Sequence, residues 1–244
     1  MTANGSASSS YTGASPRLVR RKAAAPDAPL VVLLHGFMGL PDDLAPFASS
    51  LGLDGEFVFP AGIVDLAPCG RRGRAWWAVD VEAREEALSR GPRDLSRLLP
   101  DGLDRARASL ASLLEELHDE LGPRSLFLGG FSQGAMLSCD LALRTPSLAI
   151  SGLVLLSGAR IAESVWAPLY AARQGLRVFV SHGRQDADLA FAAADSFRRD
   201  LASAGWDVTW APFDGGHEVP FSVWRAFKRW MKACAPSTAQ RSSR

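Results

Sequence analysis

Short, unbroken apolar runs recur along the chain, separated by segments with helical spacing. Leu30-Val31-Val32-Leu33-Leu34 is the clearest; Phe57-Val58-Phe59, Leu126-Phe127-Leu128, Leu153-Val154-Leu155-Leu156 and Val178-Phe179-Val180 share its character. A run with no polar face predicts a strand covered on both sides, as in a mainly parallel sheet. Val208-Thr209-Trp210 is a weaker member, and Leu18-Val19-Arg20 predicts an antiparallel edge strand near the start. Between the runs, residues 101–121 set Leu103, Leu110, Leu113, Leu114 and Leu117 in one broad stripe, and Gly122-Pro123 stops it. Residues 135–143, 189–204 and 219–232 read as further amphipathic helices, the second of these ended by Gly205. Strand–helix alternation around buried strands predicts a doubly wound, three-layer α/β domain with helices on both faces of the sheet.

Two stretches break the alternation. Residues 61–100 carry Gly, Pro and Arg around Trp76 and Trp77, a long irregular excursion of the kind that lines a pocket. Residues 158–175 are too few for a large cap domain, so the expected cleft is wide and uncapped. With 244 residues, 47% of them hydrophobic, the chain suits one domain over 17–234. A Ser-, Ala- and Gly-rich segment at 1–16 and a tail at 235–244 are expected to be disordered.

Charge narrows the partners. Lys+Arg 27 against Asp+Glu 26 leaves a formal charge of +1, without the concentrated basic surface of a nucleic-acid binder. Arg71-Arg72-Gly73-Arg74 is the densest basic stretch, read as a solvated loop or an anion-contacting one. Cys69, Cys139 and Cys234 are odd in number and widely spaced, so neither a disulfide framework nor a metal site follows. Reduced thiols, the lack of an apolar leader core in the first sixteen residues and the lack of a transmembrane segment predict a cytoplasmic protein.

The strongest chemical signal is Gly130-Phe131-Ser132-Gln133-Gly134, directly after the run 126–128 and before a helical segment. A serine lifted onto a sharp strand-to-helix turn needs small residues two places away on either side, where the backbone doubles back on itself. The pattern alone is weak; its placement makes Ser132 a candidate nucleophile rather than part of a structural glycine turn. A hydroxyl nucleophile needs a base that titrates near neutrality, and the chain has His35, His118, His182 and His217. His118 falls among charges in a helix, His182 closes a strand, and His35 stands where an oxyanion loop is expected. His217 follows the last strand in the flexible run Asp214-Gly215-Gly216, completing the order nucleophile, acid, base. Asp186 and Asp188 both follow the run 178–180; Asp186 is favoured as the acid, with Asp188 as the cap of the helix beginning near Leu189. The amides of Phe37 and Gln133 are the expected oxyanion donors, and Met38, Leu40, Trp76 and Trp77 the candidate pocket lining.

The segments Leu34-His35-Gly36, Gly129 to Ala135 (Gly-Gly-Phe-Ser-Gln-Gly-Ala), Leu155-Leu156-Ser157-Gly158, His182 to Asp186 and Gly216-His217-Glu218 resemble the phospholipase/carboxylesterase family of α/β-hydrolases. The resemblance runs from about residue 28 to 232. It implies a compact α/β-hydrolase fold, mainly parallel, with no large cap, and no metal or organic cofactor. It places nucleophile, acid and base on Ser132, Asp186 and His217, and the oxyanion amides on Phe37 and Gln133. The implied substrates are small-molecule esters or thioesters, lysophospholipids among them. A homodimer is an option because many members are dimers. Phe37-Met38-Gly39, where the family often has Leu-Gly-Asp, and the arginines between Gly62 and Gly73 depart from the pattern and reshape the pocket. A thioesterase or lysophospholipase, a non-catalytic binder on the same fold, and acyl transfer to an alcohol or amine are the competing readings.

Overall fold

Every residue of Leu30–Leu34 is buried, and so is every residue of Glu56–Pro60 and Gly152–Leu156. A strand that hides both faces belongs inside a layered stack, and that is where the computed structural model puts them. It describes residues 18–234. The terminal segments 1–16 and 235–244 lie outside the described residues.

In chain order the elements are β1 (Leu18–Arg21), β2 (Leu30–Leu34), α1 (Ala45–Leu51), β3 (Glu56–Pro60), β4 (Val64–Asp65), β5 (Arg74–Ala75), α2 (Val81–Ser89), α3 (Leu103–Leu121), β6 (Leu126–Phe131), α4 (Gln133–Arg144), β7 (Gly152–Leu156), α5 (Glu163–Trp166), β8 (Arg177–Gly183), α6 (Phe191–Ser203), β9 (Asp207–Phe213) and α7 (Phe221–Cys234). Among the described residues the main sheet has seven strands in the order β1-β3-β2-β6-β7-β8-β9. β1 pairs antiparallel with β3, and the other pairs are parallel. The fold is therefore a three-layer α/β-hydrolase fold without a large cap.

Alternation along each strand divides the core in two. Val31, Leu33, Phe57, Phe127 and Phe179 pack with α1 and α7, whereas Leu30, Val32, Leu34, Leu128 and Val178 pack with α3, α4 and α6. Inside the second layer Asp140 is fully buried on α4, accepting from Arg107 at 2.9 Å and from Trp166 Nε1 at 2.8 Å. Among the described residues no helix is long and apolar enough to cross a membrane.

The strand order positions the site. The chain leaves β2 toward β3 on one side and returns to β6 on the other, so the topological switch point falls between β2 and β6. The crevice outside the carboxyl ends at such a point is where sheets of this kind bind ligands. Leu34 pairs with Gly130, which sets His35-Gly36 beside Phe131-Ser132.

The excursion holds two short strands and a helix that periodicity did not predict. α2 has no buried residue, so it shows no apolar stripe to read. Its signal was the cap: Asp80 accepts from Ala83 N at 3.0 Å.

Candidate active site

Ser132 sits between the last residue of β6 and the first of α4, at φ 53° and ψ −118°. A non-glycine residue in that region costs on the order of 1–3 kcal/mol and persists only where its surroundings impose it. Here they do: Ser132 N donates to Leu156 O at 2.9 Å, and Ser132 O accepts from Met136 N at 3.1 Å. Glycine is required on both sides because the turn presses against β2. A Cβ on Gly130 or on Gly134 would come within 2.4 Å of Leu34 O. Gly134→Ala is therefore expected to destabilise the fold by about 3 kcal/mol or more, read as a lower urea midpoint at unchanged m-value. A midpoint matching wild type would show that the turn has room to spare.

Asp186 leaves β8 three residues past its end, and His217 lies in the loop between β9 and α7. Paired strand ends carry the two loops side by side, with Gln185 N donating to Gly215 O at 2.9 Å. The Ser157 hydroxyl, just beyond β7, donates to Glu218 O at 3.0 Å and ties down the residue after the histidine. The three side chains meet in a line. Ser132 Oγ lies 2.9 Å from His217 Nε2, and His217 Nδ1 lies 2.7 Å from Asp186 Oδ2.

The Asp186 carboxylate is buried and its oxygens are fully engaged. Oδ1 accepts from the amides of Asp188 and Leu189, each at 2.8 Å. Oδ2 accepts from His217 and also lies 3.2 Å from His182 Nε2. Burial works against ionisation, but the bonds from His182 and His217 and the Leu189 amide outweigh it, holding this carboxyl far below the usual carboxylate range. His182 Nε2 also reaches Leu189 O at 3.0 Å; both neighbours are acceptors, so Nε2 carries the proton. His182 is thus a second donor to the same acid, where the sequence showed only a residue closing a strand.

His35 braces the opposite wall. Its Nε2 accepts from Gly62 N at 2.8 Å, so Nδ1 carries the proton and donates to Gly36 O at 2.7 Å. Burial pushes this imidazole below its ordinary value, which keeps it an uncharged strut. Beyond it, the Phe37 amide has no protein acceptor among the described residues. The Gln133 amide, first in α4, has no intrahelical acceptor. The Gln133 side chain binds the excursion, accepting from Trp76 N at 2.8 Å and donating to Trp77 O at 3.1 Å.

Two cavities flank the Ser132–His217 pair. One, of about 350 Å³, runs past Gly36, Phe37, Met38, Asp43 and Glu218. The other, of about 170 Å³, includes Ser132 itself with Met38, Trp77, Leu98 and Met136. Of the four expected lining residues, Met38 and Trp77 border a cavity here, and Leu40 and Trp76 do not. Leu40 is turned outward as its backbone amide binds Asp43 at 2.8 Å. Trp76 is buried behind the wall, its Nε1 donating to His35 O at 2.9 Å and its ring stacked on His35.

Asp188 departs from its expected role as a helix cap. It caps no helix: α6 begins after Ala190 with no side-chain cap, and Asp188 instead pairs with Arg84 and Arg93. Burial opposes its charge, but the Arg93 and Arg84 guanidiniums prevail and hold it below the usual carboxylate range. Of the basic stretch 71–74, Arg74 is tied inward, Nε donating to Gly62 O at 2.6 Å and its amide to Gly39 O at 3.0 Å.

A model of the family described as phospholipase/carboxylesterase matches residues 18–235. Among solved structures the chain is similar to esterase PE8 at 22% identity and a TM-score of 0.74, covering 91% of this chain and 99% of that one. It is similar to acyl-protein thioesterase 2 of Zea mays at 19% identity and a TM-score of 0.70, with 90% and 99% covered. The Bacillus cereus carboxylesterase shares 20% identity at a TM-score of 0.67, with 91% and 96% covered. Comparison with the curated proteins returned no match.

Proposed function

From the premise that the chain belongs to the phospholipase/carboxylesterase family of α/β-hydrolases, we propose that it hydrolyses carboxylic esters of small or medium acyl chains through an acyl-enzyme on Ser132. The observation that carries the reading is the unbroken line from Ser132 Oγ through both nitrogens of His217 to Asp186 Oδ2, at 2.9 and 2.7 Å. Asp186 accepts a hydrogen bond from Nδ1–H, which keeps the proton on that nitrogen and leaves Nε2 unprotonated toward the serine, where it can take the hydroxyl proton.

As Oγ attacks the acyl carbon, its proton passes to His217 Nε2 and the carbonyl oxygen becomes negative. The amides of Phe37 and Gln133 receive that oxygen, and the N-terminus of α4 adds to the stabilisation. His217 then gives its proton to the departing alkoxide and the acyl–oxygen bond breaks, leaving the acyl group on Ser132. Water, deprotonated by the same nitrogen, releases the acid and restores the serine. Two unpaired amides and a chain of hydrogen bonds favour this cycle over a non-catalytic binder.

Intact-mass measurement after incubation with an organophosphorus fluoride is the direct test. Wild type is expected to gain one phosphoryl adduct, and Ser132→Ala none; an adduct persisting in the variant would move the nucleophile elsewhere. Rates on matched esters and thioesters of graded length then sort an esterase from a thioesterase, which uses the same groups.

A further inference from the structure

The smaller cavity carries a charged feature that ester hydrolysis alone does not require. Arg84 of α2 and Arg93 of the loop after it both line this cavity, beside Ser132, Gln133 and His217. Asp188 lies between them, ion-paired to both. Two guanidiniums against the one carboxylate they share give the cluster a net positive charge at the wall.

The two arginines are committed to different degrees. Arg93 donates to Asp188 Oδ1 through Nη2 and through Nε at 3.1 Å. Its backbone is bonded to the same loop, through Asp188 O at 2.8 Å and Ala190 N at 3.0 Å. Arg84 gives Asp188 only Nη2. Its Nε and Nη1 have no protein acceptor among the described residues, and a quarter of its side chain is exposed. A guanidinium held at one corner by a carboxylate, with its remaining edge open, suits a second carboxylate in planar, two-bond geometry.

The setting adds strength and direction. Val79, Leu95, Leu98 and Met136 share the cavity, so an anion there is partly withdrawn from water and its pairing exceeds that of an exposed pair. The larger cavity has the opposite charge, with Asp43 and Glu218 in its lining, and repels the same group.

We propose that Arg84, oriented by Asp188, binds a carboxylate at the end of one substrate arm. The preferred substrates are then esters that keep a free carboxylate, such as half-esters of short dicarboxylic acids. This deepens the esterase reading and rests on it. Were the cluster only a clamp between the excursion and the loop of Asp186, its loss would slow every ester alike.

The test compares kcat/KM on two matched pairs with the full chain. Methyl hydrogen glutarate against methyl pentanoate puts the charge on the acyl arm; 4-acetoxybutanoate against butyl acetate puts it on the alcohol arm. In one of the pairs the anionic ester is expected to be preferred by about tenfold or more at low salt. The preference is expected to shrink as ionic strength rises, a readout that needs no variant. It is expected to collapse in Arg84→Gln and to survive in part in Arg84→Lys. No preference in either pair, or an equal loss on both members in Arg84→Gln, overturns the proposal. Turnover of neither member in both pairs sinks the esterase reading and this one with it, whereas turnover without preference sinks this one alone.

Discussion

Replacing Ser132 by alanine is expected to lower kcat by roughly 10⁴- to 10⁶-fold while circular dichroism and melting temperature stay at wild-type values. Alanine keeps the Cβ, so the backbone at φ 53° and ψ −118° faces the same steric demands. His217 keeps its bond to Asp186, and only the attacking oxygen is gone. Residual hydrolysis would come from water held near the two unpaired amides. The measurement is kcat and KM on an activated ester. A variant retaining more than about a tenth of wild-type kcat would remove Ser132 from the chemistry.

Asp186→Asn is expected to cost about 10⁴-fold in kcat, the size of a tautomer error in a serine triad. The amide oxygen of asparagine can replace Oδ1 in accepting the Asp188 and Leu189 amides. Its NH₂ then faces His217 Nδ1 and His182 Nε2, donor against donor. His217 relieves the clash by moving its proton to Nε2, where it can no longer accept from Ser132. A loss of less than about tenfold would mean that Asp186 does not set the tautomer.

The same residue has a stability signature. Its folded pKa lies below the unfolded value. The stabilisation is therefore fully present above about pH 4, the unfolded carboxylate range, and lost as the pH falls through the folded value. Asp186→Asn removes that contribution, so its melting temperature is expected to fall less than that of wild type between pH 5 and pH 3. Parallel curves for the two proteins would contradict the assignment.

The sheet was legible because its strands are buried on both faces and its helices on one. Leu30–Leu34 admits no other assignment once its flanks are read, and α3 declares itself through its leucines. The family resemblance and the α/β-hydrolase fold were legible from motifs that follow strand ends. So was the grouping of Ser132, Asp186 and His217, because each stands just past a strand whose place in the sheet the alternation dictates. Helices α1 and α2 were not legible; the first is short and the second buries nothing.

Side chains whose partners are remote in sequence were the hardest to place. Asp188 looked like a cap because Leu189 follows it, yet its ionic partners lie 104 and 95 residues away, on a stretch with no periodicity. Trp76 looked like a wall because of its size, but its indole hydrogen is taken by His35 O, 41 residues back. The pairing of Gln133 with Trp76 and Trp77 likewise depends on how the excursion folds back over α4.

One joint in the molecule limits how it can change. The backbone of Arg93 is laced to that of Asp188 and Ala190, two and four residues beyond the carboxylate that steadies the imidazole. If the proposed reaction and carboxylate preference hold, selectivity and turnover share a hinge pin. An inserted or deleted residue near Arg93, meant to admit a bulkier guest, would tug on the loop that aims the proton acceptor. Remodelling is better confined to Leu98 and Met38, exposed at the mouth and free of that lacing.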